Sequence, residues 1–436
     1  MSVLHDLKTA RRVLVNLWRS RMTRRRIAGA TPSSGTPGPA TVEVAVYFAD
    51  ADVNLYQIRQ WYAPLAELAK TRRVAIISRS PGAALTIFEE SPVPVVYLRQ
   101  VVDLERFIHE QPLKVVLYVN QNSRNFQMMR YSRMWHVFVN HGESDKMYMT
   151  TNQFKAYDYS LVAGQAALDR LSRKLWDFDL ERRAIPIGRP QADHLGGVLP
   201  YTPDDRIVVF YAPTWEGDRA SAAYGSIASH GVELASRLVA TGRHRVVYRP
   251  HPRSGVIDAA YRRANQEIVA ILSAANARDS SARHVIDAGA ELGWQLGSSD
   301  VAITDISAMV YDRLATGRPI VVTRPADPAA EVDLEGFLGD AVWLTAEAAS
   351  DVVAVVDRAL DDEEARDRLE HWVRHHFGDT TPGAATARFH AAIEGLIAEW
   401  ERHAALHPED LVGPDGSAGD AEGDDDADDE QVIRRR

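Results

Sequence analysis

The 436-residue chain has no cysteine, which excludes a disulfide framework, a thiolate zinc site and a cysteine nucleophile, and is compatible with a reducing compartment. It also lacks an apolar run long enough to cross a bilayer. The short run VLVNLW at 13–18 falls far below the roughly 20 residues a spanning helix needs, and no small-residue cleavage site follows it, so neither a transmembrane helix nor a secretory signal is predicted. No internal repeat is evident. There is no G-x-G-x-x-G, no Walker A loop, no G-x-S-x-G elbow and no H-E-x-x-H. Those gaps argue against a dehydrogenase, a P-loop ATPase, an α/β-hydrolase and a zinc protease.

What is present is the composition of a soluble globular protein, 45% hydrophobic and 25% charged, in a chain long enough for two domains. The net charge of −10 conceals two opposed ends. Residues 6 to 26 carry eight cations (Lys8, Arg11, Arg12, Arg19, Arg21, Arg24, Arg25, Arg26) against Asp6, interleaved with Leu7, Val13, Leu14, Leu17 and Trp18. This predicts a basic amphipathic helix over 1–28, suited to an anionic membrane surface at roughly 1 kcal/mol per cation; a merely solvated helix is the plainer alternative. Residues 415 to 430 hold nine acids among Gly, Ala and Ser, and an acidic disordered tail is expected over 409–436. Because the basic run is confined to the first helix, a nucleic-acid partner is not expected.

The stretch GATPSSGTPGPA reads as a flexible linker over 29–40. Short β-branched and aromatic runs then alternate with helical patterns: VEVAVYFA, VAIIS, VPVVYL, VVLYVN, HVFVN, YSLVAG and AIPIG, and, after LPYTPDDR, IVVFYAP, RVVYRP, HVID, VAITD and PIVVT. Runs without polar alternation are strands covered on both faces. The reading is an α/β chain of two doubly wound parallel-sheet domains, 41–195 and 206–382, with a helix over 383–405 packing back across them. In such sheets ligands sit beyond the carboxyl ends of the strands, at a switch point in strand order.

Four strand ends carry chemistry. VFVNHGESDK presents His141, Gly142 and Lys146, and an imidazole there suits general-base work, although a loop histidine is more often structural. FYAPTWEGDR presents Thr214 and Trp215, read either as cleft residues or as a cap and a core plug. VVYRPHPRSG places Arg249, His251 and Arg253 on a turn stiffened by prolines, a pattern suited to a pyrophosphate. SSDVAITDISAMVYDRLATGRPIVV offers Thr304, then Asp305 or Ser307 as a helix cap, then Gly317, Arg318 and Pro319, and the first-turn amides of that helix would bind an anion. Asp50 and Asp52 superficially resemble a metal-chelating pair. With phosphates assigned to the cationic loop of the other half, no metal and no cofactor are expected.

Taken in order, these segments resemble the CDP-glycerol glycerophosphotransferase family, which includes teichoic acid polymerases and primases, over about residues 130 to 400. The resemblance is carried by His141-Gly142 with Lys146, by Tyr211 to Trp215, by His251-Pro252, by Thr304, Asp305 and Ser307 with Tyr311 and Asp312, and by the late GDTTPGAATARF. Departures bear on the substrate: Glu-Ser-Asp follows Gly142 where Thr-Pro-Leu is usual, Ile306 and Ala308 replace a tyrosine and a serine, and Glu216 stands where an arginine is common. The resemblance implies a GT-B architecture of two facing Rossmann-like halves. It also implies transfer of glycerol phosphate, or a related alditol phosphate, from a CDP-activated donor to a hydroxyl of a lipid-linked or cell-wall glycan acceptor, with CMP released. His141 would be the base. His251 and Arg249 would neutralise the pyrophosphate, with Thr214, Lys146, Thr304, Asp305, Ser307 and Arg318 around the donor. The enzyme would be cytoplasmic and peripheral on the inner face of the membrane. A GT-B glycosyltransferase using a nucleotide sugar, and a non-catalytic scaffold of the same fold, are the alternatives.

Overall fold

The structure is a computed structural model describing residues 22–23, 25–142, 151–289 and 292–408. Lys146, most of the basic N-terminal helix and the acidic tail lie outside the described residues.

Two all-parallel sheets organise the chain. The first has seven strands, β1 (Val44–Phe48), β2 (Val74–Ser78), β3 (Val95–Tyr97), β4 (Val115–Tyr118), β5 (Trp135–Phe138), β6 (Tyr159–Val162) and β7 (Ala184–Pro186), in the order β3-β2-β1-β4-β5-β6-β7. The second has six, β8 (Ile207–Ala212), β9 (His244–Tyr248), β10 (Val285–Ile286), β11 (Val301–Thr304), β12 (Ile320–Thr323) and β13 (Val342–Leu344), in the order β10-β9-β8-β11-β12-β13. Strand order reverses between β1 and β4 in one sheet and between β8 and β11 in the other, so each half has one switch point.

The runs are apolar throughout because side chains alternate between two buried layers. Val44, Val46 and Phe48 enter one core of the first sheet, while Ala45 and Tyr47 enter the other. In the second sheet Val209 and Tyr211 face one layer and Val208, Phe210 and Ala212 the opposite one. The edge strand β13 has no counterpart among the sequence-predicted strands; three residues give too short a signal to separate from a loop.

The C-terminal helix Ala384–Leu406 packs on the first half. Phe389, Ile393, Leu396 and Ile397 join its core, the Phe389 ring lies 5.3 Å from that of Trp61, and Trp135 Nε1 donates to the Leu396 carbonyl at 3.0 Å. Gly188, at φ 76°, and Gly164 allow the preceding segment at His376 and Phe377 to press onto the ends of β6 and β7, where a Cβ would collide with its backbone.

The segment 29–40 is not the flexible linker its composition suggests. Ser33 N and Oγ both donate to the Phe88 carbonyl, Ser34 Oγ donates to the Val93 carbonyl at 2.6 Å, and the Gly35 carbonyl accepts from Val95 N at 3.2 Å. Gln111 Oε1 then accepts from the amides of Thr41 and Val42. Ser, Gly and Pro mark a chain without regular structure, but here hydrogen bonds to the β3 edge hold that chain in place.

Candidate functional site

At the switch point of the second sheet, Asp305 follows β11 and Thr214 follows β8. Asp305 is fully buried; its Oδ2 accepts from Thr214 N at 2.7 Å and Ser226 N at 3.0 Å, and its Oδ1 accepts from Thr323 Oγ1 at 2.6 Å. Burial pushes its carboxyl up to about 6, against the hydrogen bonds from Ser226, Thr323 and Thr214 that favour the charged form. Asp305 therefore clasps the turn and has no exposed surface to offer a donor, which argues against its placement among the donor-binding groups. Thr304 is equally enclosed, with no exposed surface, and the same argument applies to it. Ser307 caps the helix Ala308–Leu314 by accepting from Met309 N at 3.2 Å. Asp305 does not cap it.

The loop after β9 is held from below by Glu216, whose carboxylate accepts from the amides of Gly255 at 2.9 Å, Ile257 at 3.1 Å and Asp258 at 3.1 Å. Burial pushes this carboxyl up, but the backbone amides outweigh it and hold it below the ordinary glutamate range. On that support Arg253 stacks over Trp215, 3.7 Å from the ring centroid. His251 Nδ1 accepts from Arg253 N at 3.1 Å, which fixes the proton of the neutral ring on Nε2. Burial and the Arg253 charge lower its pKa, so it stays neutral. Arg249 is ion-paired: Nη1 meets Asp287 Oδ2 at 2.5 Å and Nη2 donates to the Gly289 carbonyl at 2.9 Å. Its expected phosphate contact is thus already taken by Asp287, whose Oδ2 also accepts from Gln295 at 2.6 Å.

Arg318 is misplaced in the sequence reading. It precedes β12 and donates to the Ser299 carbonyl at 3.1 Å, just ahead of β11, so it lies at the amino ends of the strands, on the edge opposite the cleft. Beside it the buried Arg313 donates to carbonyls of Leu296, Ser299, Asp300 and Pro319, tying the same edge together.

In the first half the switch point carries a similar clasp: Asn120 Nδ2, after β4, donates to Asp50 Oδ2 after β1 at 3.2 Å and to Gln57 Oε1 at 2.6 Å. Among the described residues no group of three or more His, Asp or Glu is arranged to hold a metal ion. Beyond β5, Asn140 adopts φ 55°, and its carbonyl accepts from Trp61 Nε1 at 2.5 Å. His141 Nδ1 meets the Val119 carbonyl at 2.9 Å. A carbonyl only accepts, so the proton sits on Nδ1 and Nε2 is the basic lone pair. The Tyr56 ring stands edge-on to the imidazole at 5.6 Å.

The sequence reading missed a residue that joins the halves. Arg189, after β7, pairs through Nη2 with Asp312 Oδ1 at 2.5 Å, and Nη2 would lie 3.9 Å from a Cβ on Gly142. One guanidinium thus links the His141-Gly142 loop to the helix behind Asp305. A lone arginine in GRP carries no motif, so only the fold reveals it.

Two parallel-sheet halves with fixed polar groups at the carboxyl ends of their strands make a GT-B-like fold. The fold by itself does not choose among activities. The structure resembles the wall teichoic acid polymerase TagF, at 15% identity over 92% of this chain and 99% of that chain, with a TM-score of 0.53. It equally resembles a putative UDP-N-acetylglucosamine 2-epimerase from Listeria monocytogenes, at 14% identity over 83% of this chain and 98% of that one, with a TM-score of 0.52. No curated protein sequence matches the chain. Residues 136–327 match the family described as CDP-Glycerol:Poly(glycerophosphate) glycerophosphotransferase. That segment of the chain is similar to the CDP-glycerol glycerophosphotransferase family.

Proposed function

We propose that this enzyme moves glycerol phosphate, or a related alditol phosphate, from a CDP-activated donor to a hydroxyl of a lipid-linked or cell-wall glycan acceptor in the synthesis of a teichoic-acid-like polymer. The observation that carries the proposal is the opposed hydrogen bonding of the two histidine Nδ1 atoms. His141 Nδ1 donates to the Val119 carbonyl, which in a neutral ring puts the lone pair on Nε2, whereas His251 Nδ1 accepts from Arg253 N, which puts the proton on Nε2. One is set to take a proton and the other to give a hydrogen bond.

In the reaction the acceptor oxygen attacks the β-phosphorus and its proton passes to His141 Nε2. The bond from that phosphorus to the bridging oxygen breaks, and CMP leaves with the electron pair. His251 Nε2–H bonds the phosphate oxygens as charge moves onto CMP. Positioning and charge stabilisation supply most of the acceleration. The acceptor is met at an anionic membrane surface, where the cations between Lys8 and Arg26 would hold the protein peripherally on the inner face.

The test is release of CMP from CDP-glycerol by purified protein, with and without membrane extract, beside a panel of UDP-sugars. Acceptor-dependent CMP release, falling at least about 1000-fold in His141→Ala, is the expected result. UDP release with CDP-glycerol inert would place the protein among the glycosyltransferases instead.

A further inference from the structure

The loop between β9 and the helix Ala259–Arg278 is held from within on both sides of its backbone. The Glu216 carboxylate accepts from the amides of Gly255, Ile257 and Asp258. Arg262 donates from Nε to the Gly255 carbonyl at 2.9 Å and from Nη2 to the Val256 carbonyl at 3.3 Å. Gly255 sits at φ 75°, and a Cβ there would lie 2.7 Å from the Cα of Arg262, so the seat admits only glycine. Glu216 is a position at which the chain departs from the family it resembles, so this support is its own.

That fixed backbone leaves Val256 and Ile257 62% and 63% exposed. Single exposed aliphatics are ordinary, but these two are consecutive, and Pro252, Ala259 and Ala260 are exposed in the same stretch. Three exposed arginines accompany them: Arg253, Arg262 and Arg263. Among the described residues none of the three is ion-paired. Asp258, the one acid between His251 and Arg263, caps the helix by accepting from Ala260 N at 2.6 Å.

We infer that this loop is a membrane-docking tip: Val256 and Ile257 enter the apolar boundary of a bilayer while Arg253, Arg262 and Arg263 meet the headgroups of anionic lipids. A protein interface needs roughly 800 Å² on each partner and a packed apolar centre. Shallow insertion of a few apolar groups beside cations needs neither. The contact lies in the second half, apart from the N-terminal cations. It rests on the phosphotransferase reading in one respect: a lipid-linked acceptor gives the loop that carries His251 a reason to face the bilayer.

Because the chain has no cysteine, Ile257→Cys can be labelled at one site in the full chain with an environment-sensitive fluorophore. Vesicles containing phosphatidylglycerol should shift its emission to the blue, vesicles of phosphatidylcholine alone should not, and the shift should fade at high salt. Arg278→Cys, at the other end of the same helix about 30 Å away, is the control and should not respond. In co-sedimentation with the anionic vesicles, Val256→Ser combined with Ile257→Ser should bind at least about tenfold more weakly than wild type, and Arg263→Gln about fivefold more weakly. No shift at position 257, an equal shift at 278, or unchanged affinity in these variants would overturn the inference. An equal shift with phosphatidylcholine alone would overturn the anionic assignment. CMP release from CDP-glycerol is measured on the same preparations. Docking that depends on Val256 and Ile257 without CMP release sinks the activity reading and leaves the docking, and CMP release without docking does the reverse.

Discussion

Three donors converge on Asp305, and removing its carboxylate would leave the amides of Thr214 and Ser226 and the hydroxyl of Thr323 facing one another in a site with no exposed surface. Each buried donor left without an acceptor costs about 1–3 kcal/mol. Asp305→Ala is therefore expected to lose roughly 3 kcal/mol or more and to raise the KM for donor, because the Thr214 turn would no longer be fixed. Asp305→Asn, which keeps one acceptor oxygen, should lose less. Urea unfolding measures the first quantity and initial rates the second; an Asp305→Ala protein with unchanged stability would mean that the clasp is incidental. Residue types single out the strand-end loops, where polar groups cluster, but composition gives no sign of which face of the turn each side chain takes. Asp305 points inward, Arg249 is claimed by Asp287, and Arg318 sits at the opposite edge.

The helix Ala384–Leu406 reaches the His141 loop through one side chain. Phe389, fully buried, packs on Trp61, and Trp61 Nε1 holds the carbonyl of Asn140 immediately before His141. Truncation to Phe389→Ala should cost about 3–5 kcal/mol from the cavity it leaves and lower kcat more than it raises KM, since His141 would lose its fixed orientation. Phe389→Leu, with a smaller cavity, keeps the protein folded and isolates the second effect. A Phe389→Leu enzyme with unaltered kcat and pH profile would show that Trp61 is held by other contacts. The helix itself was visible in the sequence from its apolar periodicity, and the strands from their unbroken β-branched runs. Its destination was not, because an amphipathic face specifies that something is covered without saying what. Segment 29–40 failed for a related reason: Gly and Pro forbid regular structure locally, whereas the bonds that immobilise it come from Phe88, Val93 and Val95, far along the chain.

Across the whole molecule, folding buries histidines in neutral form, and that sets the direction of its acid sensitivity. Burial lowers His284 from 6.5 to about 4 with help from the charge of Arg245, and lowers His376 to about 3 with help from Arg170. Burial lowers His136, His230, His244 and His390 as well. In the unfolded chain each of these rings takes a proton near ~6.5, whereas in the folded protein His284 and His376 resist until the lower values. Their contribution is thus complete above pH 6.5 and is lost as pH falls below it. Asp305 runs the other way: raised to about 6, it takes up its proton in the folded protein before the unfolded chain does, so stability is recovered as pH falls through that value. Between pH 7.5 and 5.5 two such histidines cost roughly 2.7 kcal/mol and one such aspartate returns about 0.8 kcal/mol, a net loss of about 2 kcal/mol. The urea midpoint should accordingly fall between those two pH values. A midpoint that held steady or rose would mean that these rings either reach solvent or are charged in the folded state, and the parallel-sheet halves would then have to open where His284 and His376 are now enclosed.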